Sequence, residues 1–93
     1  MIILGDTVVT KGIHTRMEED KDFMFGVGSA MGQFQNEDWG VCSEEDKLQN
    51  DYAVAHNDTV MGAYLVGEEK IWIIRDPQEN GKYLTTILFP DEY

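Results

Sequence analysis

A chain of 93 residues has room for one domain and one modest core, since a domain this small buries only about 60% of the surface its unfolded form exposes. Hydrophobic residues make up 42% of it, which excludes a disordered acidic tail, and no apolar run approaches the roughly 20 residues of a membrane span. The formal charge of −11, from 18 acids against 7 bases, repels nucleic acid and anionic lipid and argues against direct binding to either. That charge is unevenly placed: residues 17 to 58 carry −9, against +1 before them and −3 after. The opening MIILGDTVV has neither a basic leader nor a long apolar segment, and the lone Cys42 makes no intramolecular disulfide, so a cytoplasmic protein is expected.

Thr7 to Thr10 is β-branched throughout and stops at Lys11-Gly12, which predicts a short first strand. From Met17 the pattern changes. Phe23, Val27, Ala30 or Met31 and Phe34 recur at spacings of three and four, the stripe of an amphipathic helix, with Thr15 as its cap and Glu18, Glu19 and Asp20 in its first turn. Gly26, Gly28 and Gly32 lie inside it at up to about 1 kcal/mol each relative to alanine, so either a neighbour packs closely there or the helix breaks near Gly26. Asn36 to Gly40 reads as a loop. Ser43 with Asp46 resembles a capping box, and Leu48, Tyr52 and Ala55 mark one face of a second helix closed by Asn57-Asp58.

After that the period drops to two. Val60 to Val66, Ile71 to Ile74 and Tyr83 to Phe89 read as three strands joined by the turns Gly67 to Glu69 and Asp76 to Gly81. The expected fold is α+β: a small antiparallel sheet, ordered β-α-α-β-β-β along the chain, with two helices packed on one face. Apolar residues on both alternations of the last three strands leave the second face in need of cover, which a partner subunit would supply.

The DWG of residues 38 to 40, the EDK and ND at 45 to 47 and 50 to 51, the IWII of 71 to 74 and the TTILFPDEY of 85 to 93 together resemble a family of small uncharacterised acidic proteins. The VVTKGI of 8 to 13 resembles that family's opening strand. Its members are common in Firmicutes, often on plasmids, integrative elements and prophages. The resemblance covers most of the chain and implies a phage or mobile-element setting, with no catalytic role attached to the motifs. The glycine-rich helix and the six-residue turn after Arg75 depart from the family pattern.

Chemistry-bearing constellations are thin. Asn36, Asp38 and Gly40 loosely resemble the start of a calcium loop, but the twelfth position is Lys47 rather than glutamate. Cys42, His14 and His56 lack zinc-ligand spacing. Cys42 precedes a helix start, which lowers a thiol pKa, yet the surrounding carboxylates disfavour the thiolate, so it reads as a half-buried loop anchor. The glycines of GVGSAMG miss the dinucleotide fingerprint and are better explained by close packing. No catalytic residue, metal or cofactor is expected, and the chain reads as a non-enzyme.

Two readings remain. The first is a non-enzymatic inhibitor or interaction protein, a DNA-mimic-like counter-defence factor that binds a basic surface on a host nucleic-acid-handling protein. Glu18, Glu19, Glu37, Asp38, Glu44, Glu45 and Asp51 would carry the contact, with Trp39 packed as a lid or exposed as an anchor. The second is a binder that sequesters a nucleotide signal at a homo-oligomer interface, using Lys11, Arg16 and Arg75 with stacking from Tyr64 or Trp72.

Overall fold

The computed structural model describes residues 1–93. The elements are β1 (Asp6–Val9), α1 (Lys11–Glu19), α2 (Lys21–Gln35), α3 (Glu44–His56), β2 (Val60–Val66), β3 (Glu69–Pro77) and β4 (Tyr83–Leu88). Short 3-10 turns follow β3 at Glu79–Gly81 and β4 at Pro90–Glu92. The fold is α+β, with three helices where the sequence predicts two.

The extra helix comes from a break at Asp20. Its backbone leaves helical geometry (φ −144°, ψ 110°), and its carboxylate accepts hydrogen bonds from the N–H groups of Asp22 and Phe23 at 2.9 and 3.2 Å. That is an N-cap, so the helix expected from Met17 is divided at Asp20, with the whole stripe from Phe23 to Phe34 in α2. Thr10, not Thr15, caps α1, its hydroxyl accepting from the Ile13 N–H. The first strand stops before Lys11-Gly12 as expected, and that pair opens a helix. The Gly12 N–H donates to the Glu92 carboxylate at 3.1 Å, and a Cβ there would lie 2.6 Å from that oxygen.

The sheet order is β1-β4-β3-β2. The last three strands form the expected antiparallel meander, with Gly62, Ile73 and Ile87 in one cross-strand row. β1, however, pairs parallel to β4, which makes the sheet mixed and corrects the all-antiparallel expectation. Three helices join β1 to the meander, and a long crossover permits parallel pairing where a hairpin forbids it.

All three helices contribute to the core on one face of the sheet. Ile13, Phe23, Val27, Ala30, Phe34 and Ala53 meet Val60, Tyr64, Ile71, Ile73 and Ile87 in a single buried cluster. Phe34 is wholly buried, a side chain whose truncation to alanine typically costs about 3–5 kcal/mol. Gly26 is the close approach that the sequence demands: a Cβ there would lie 2.4 Å from Val66 Cγ1. Gly28 and Gly32 face open space. The segment before β1 straps the same face, the Ile2 N–H donating to the Gln35 carbonyl and the Thr85 hydroxyl to the Leu4 carbonyl.

The second face carries no α-helix, but the C-terminal turn Pro90–Glu92 and Tyr93 lie over β3 and β4 there, beside Ile74, Thr86 and Leu88. Ala63, Ile74 and Leu88 are buried there outside the main cluster, and Trp72 stands half-buried with its ring edge-on to Tyr93 at 5.7 Å. Trp72 thus lies outside the main core cluster.

Candidate functional site

α3 begins conventionally. The Ser43 hydroxyl accepts from the Asp46 N–H at 3.1 Å, and Glu44, Glu45 and Asp46 occupy the first turn, where the helix dipole favours negative charge. Asn57, in the left-handed conformation at φ 57°, ends it. Its orientation is the reverse of what its apolar residues predict. Leu48 is 69% exposed and Tyr52 61% exposed, while Asn50 and Ala53 face inward.

Asn50 explains the inversion. β2 is an edge strand whose outward backbone groups need partners, and the Asn50 amide supplies both for Met61: Nδ2 donates to the carbonyl at 2.8 Å and Oδ1 accepts from the N–H at 3.1 Å. A side-chain amide imitates a neighbouring strand. With Asn50 fixed against β2, Leu48, Tyr52 and Ala55 must point to solvent, because they lie on the opposite side of a 3.6-residue helix. The Tyr52 ring stacks on His56 at 3.7 Å, which holds it flat along the helix surface.

Two residues further along β2, at Ala63, the chain from Trp39 to Val41 covers the edge. The Ala63 N–H donates to the Trp39 carbonyl, and the Val41 N–H to the Ala63 carbonyl at 2.7 Å. Gly40 is obligatory here, since at φ 76° a Cβ would sit 2.0 Å from the Ala63 carbonyl oxygen. Trp39 is 3% exposed, edge-on to Phe34 at 5.5 Å, with its Nε1–H donating to Asp51 Oδ1 at 2.9 Å. It locks the loop to α2 and α3, so of the two expectations for Trp39 the packed one holds, and the exposed binding anchor is corrected to a core residue.

Asp38 is likewise occupied. Its carboxylate accepts from the Gly40 N–H and from Gln33 Nε2, both at 3.1 Å, and these bonds, the backbone one first, hold its pKa below the usual carboxylate range. The Tyr64 hydroxyl donates to the Asp38 carbonyl at 2.7 Å, and burial raises the pKa of that phenol. Cys42 is half-buried, its thiol 3.7 Å from the Met61 carbonyl, as a loop anchor should be.

The acidic residues do not form one continuous surface. Glu18 and Glu19 lie in the last turn of α1, which packs on α2 and β4, whereas Glu44 and Glu45 lie on α3, which packs on β2. β3 separates those two strands in the sheet. Asp38 and Asp51 brace the Trp39 loop, and Glu37 sits exposed in the turn after α2 at φ 63°. The coherent part is α3, where Glu44, Glu45 and Asp51 fall three or four residues from Leu48 and therefore beside it. Only Glu44 among them has a basic neighbour, Lys47 at 3.7 Å.

The cationic set is dispersed. Arg16 pairs with Glu69 and Asp20 at the first residue of β3, while Arg75 lies six residues further along that strand, buried over the Tyr83 ring with Nη1 donating to the Ile3 carbonyl. Lys11 opens α1. Tyr64 and Trp72 point to opposite faces, since Tyr64 pairs across the sheet with Ile71 and Trp72 is next along the strand. These five do not line one pocket. No cluster of three or more His, Cys, Asp or Glu side chains has metal-ligand proximity.

Leu48, Tyr52 and Asn50 are the residues that sequence reasoning placed wrongly or passed over. A signal exists in Lys47, Asn50, Ala53 and Val54, a second stripe at helical spacing whose small and amide side chains suit close approach to a strand edge. No protein-family model, no curated protein and no solved structure matches the chain.

Proposed function

We propose that this protein is a non-enzymatic interaction protein that lays α3 into a groove of a partner protein, with Leu48 and Tyr52 as apolar anchors and Glu44, Glu45 and Asp51 around them. The observation that carries this reading is the outward turn of α3: two large apolar side chains, 69% and 61% exposed, on a helix whose first turn is wholly acidic. Solvent does not favour that arrangement, and a complementary groove does.

The partner that fits has an apolar pocket rimmed by lysines and arginines. Basic sites that handle nucleic acid have that character, because they are built to displace counterions from phosphates and will accept carboxylates in their place. A host nucleic-acid-handling protein as partner, and a counter-defence role for a chain of mobile-element origin, follow from this chemistry together with the motif resemblance. The net charge of −11 would also speed encounter with a basic surface and impose a salt dependence.

The test is capture from host lysate by the wild-type chain and by L48A/Y52A, quantified by mass spectrometry in about 50 and 200 mM salt. A protein retained by the wild type, released by salt and lost with L48A/Y52A supports the proposal. Equal capture by both chains, or salt-insensitive capture, overturns it.

A further inference from the structure

We infer that the free edge of β1 is a self-association site, where two copies of this chain pair antiparallel through Thr7 and Val9 and join their sheets into one. The site uses neither face of the sheet and no residue of α3.

The two edges of the sheet are treated differently. β2, at one end of the order β1-β4-β3-β2, has its outward groups taken up by Asn50 and by the chain from Trp39 to Val41. β1, at the other end, has no such cover. The Thr10 N–H donates to the Ile87 carbonyl, continuing the parallel register that sets Asp6 beside Leu84 and Val9 beside Ile87. The N–H and C=O of a strand residue point the same way, and the direction alternates along the chain. Asp6, Val8 and Thr10 therefore turn theirs towards β4, while Thr7 and Val9 turn theirs outward. Those four outward groups take no partner from any loop, cap or side chain. α1 leaves from Thr10 across the core face towards β3, where Arg16 meets Glu69, so it does not cover this edge. Asp6, Thr7 and Val8 are exposed, Val8 by 46%.

Symmetry and charge select a second copy as the occupant. A two-fold axis perpendicular to the sheet through Val8 sets Thr7 opposite Val9 of the partner subunit and Val9 opposite Thr7 of the partner subunit. Each such pair exchanges two N–H···O=C bonds, so this register satisfies every outward group on both chains, and a shift of two residues either way keeps only half. On the axis the two Val8 side chains meet as a non-hydrogen-bonded pair with Cα atoms about 4.5 Å apart, an apolar β-branched contact. Residues 1 to 16 carry +1, whereas the rest of the chain carries −9 and −3, so β1 lies in the stretch least repelled by its own copy. Asp6 of the partner subunit comes opposite Thr10, beside Lys11, and neither Asp6 nor Lys11 has an ion pair within the chain. Glu92, held at that end by the Thr10 hydroxyl and the Gly12 N–H, offsets the attraction, so the backbone bonds carry the association.

The strand is only 4 residues long. Its contact falls well below the roughly 800 Å² per partner of a stable complex, so half-dimerisation is expected at roughly 0.1–1 mM. Both copies are strongly acidic, so screening should favour the dimer, the opposite of the salt dependence expected of α3 on a basic partner.

Sedimentation equilibrium of the full chain from about 10 μM to 2 mM, in about 50 and 200 mM salt, tests this, with 10.6 kDa for the monomer and twice that for the dimer. The expected result is a dimer that grows with concentration and with salt, and Thr7 and Val9 amides that exchange severalfold more slowly at about 2 mM than at about 50 μM. Thr7→Pro removes an N–H that no group in the monomer accepts, which an edge strand tolerates, and should weaken the dimer by at least about tenfold. Val8→Lys puts two lysines on the axis and should abolish it, while L48A/Y52A should leave it unchanged. Circular dichroism of each variant confirms that the fold is retained. A monomer at about 2 mM, a dimer indifferent to Thr7→Pro and Val8→Lys, a dimer lost with L48A/Y52A, or unprotected Thr7 and Val9 amides in the dimer would overturn the inference.

Discussion

Replacing Asn50 by alanine removes the residue that turns α3. Two hydrogen bonds to the Met61 backbone are lost, at about 1 kcal/mol each, and two strand-edge groups lose their partners at a site where the asparagine is only 7% exposed. Alanine's better helix propensity offsets about 0.5 kcal/mol, and the stranded N–H and carbonyl add a similar amount in the other direction. The net expectation is a destabilisation of about 2 kcal/mol, or a fall in melting temperature of roughly 8–16 °C for a chain of this length. Urea titration followed by circular dichroism should show a lower midpoint with an unchanged slope. A loss below about 0.5 kcal/mol is what a surface asparagine gives, and it would mean that α3 does not present Asn50 to β2.

Other perturbations follow the same geometry. Gly26→Ala should destabilise by about 1–3 kcal/mol through its clash with Val66 and be partly rescued by Val66→Ala, whereas Gly28→Ala and Gly32→Ala should each stabilise by up to about 1 kcal/mol, all measurable by thermal melting. The Glu92 carboxylate, held below its ordinary pKa by the Thr10 hydroxyl first and the Phe89 N–H next, stabilises the fold at pH values above its unfolded pKa. That contribution is lost as pH falls below about 4 through the depressed folded value, and Glu92→Gln should flatten this part of the acid unfolding curve. Acrylamide should quench the two tryptophans unequally, with buried Trp39 shielded and half-buried Trp72 accessible, so Trp39→Phe should leave a readily quenched emission. Equal quenching would place Trp39 outside the core.

Periodicity made the meander and the core stripe of α2 legible, because burying one face of a strand or helix imposes a two- or 3.6-residue repeat wherever the partner is apolar. Asp20 was misread for a local reason: the same residue that favours a helix's first turn also caps a new helix, and only its backbone conformation distinguishes the two. The parallel pairing of β1 was not legible, since strand direction depends on where three helices carry the chain. α3 failed more instructively. Its apolar stripe is real, but hydrogen-bonding demand at the β2 edge outweighed hydrophobic burial, and within the helix only the fainter stripe of Lys47, Asn50, Ala53 and Val54 records that demand. Trp39 shows the converse, a tryptophan in a polar loop that is buried because Phe34 and Asp51 supply a wall and an acceptor from elsewhere in the chain.

The outward orientation of α3 can be read directly from nuclear magnetic resonance of the free protein with a soluble paramagnetic agent. The Leu48 methyl groups and the Tyr52 ring should broaden strongly, while the Asn50 side-chain amide, Phe34 and Trp39 stay sharp. Protection of Leu48 and Tyr52 together with broadening of the Asn50 amide would show the helix rotated the other way and remove the surface on which the proposed interaction depends.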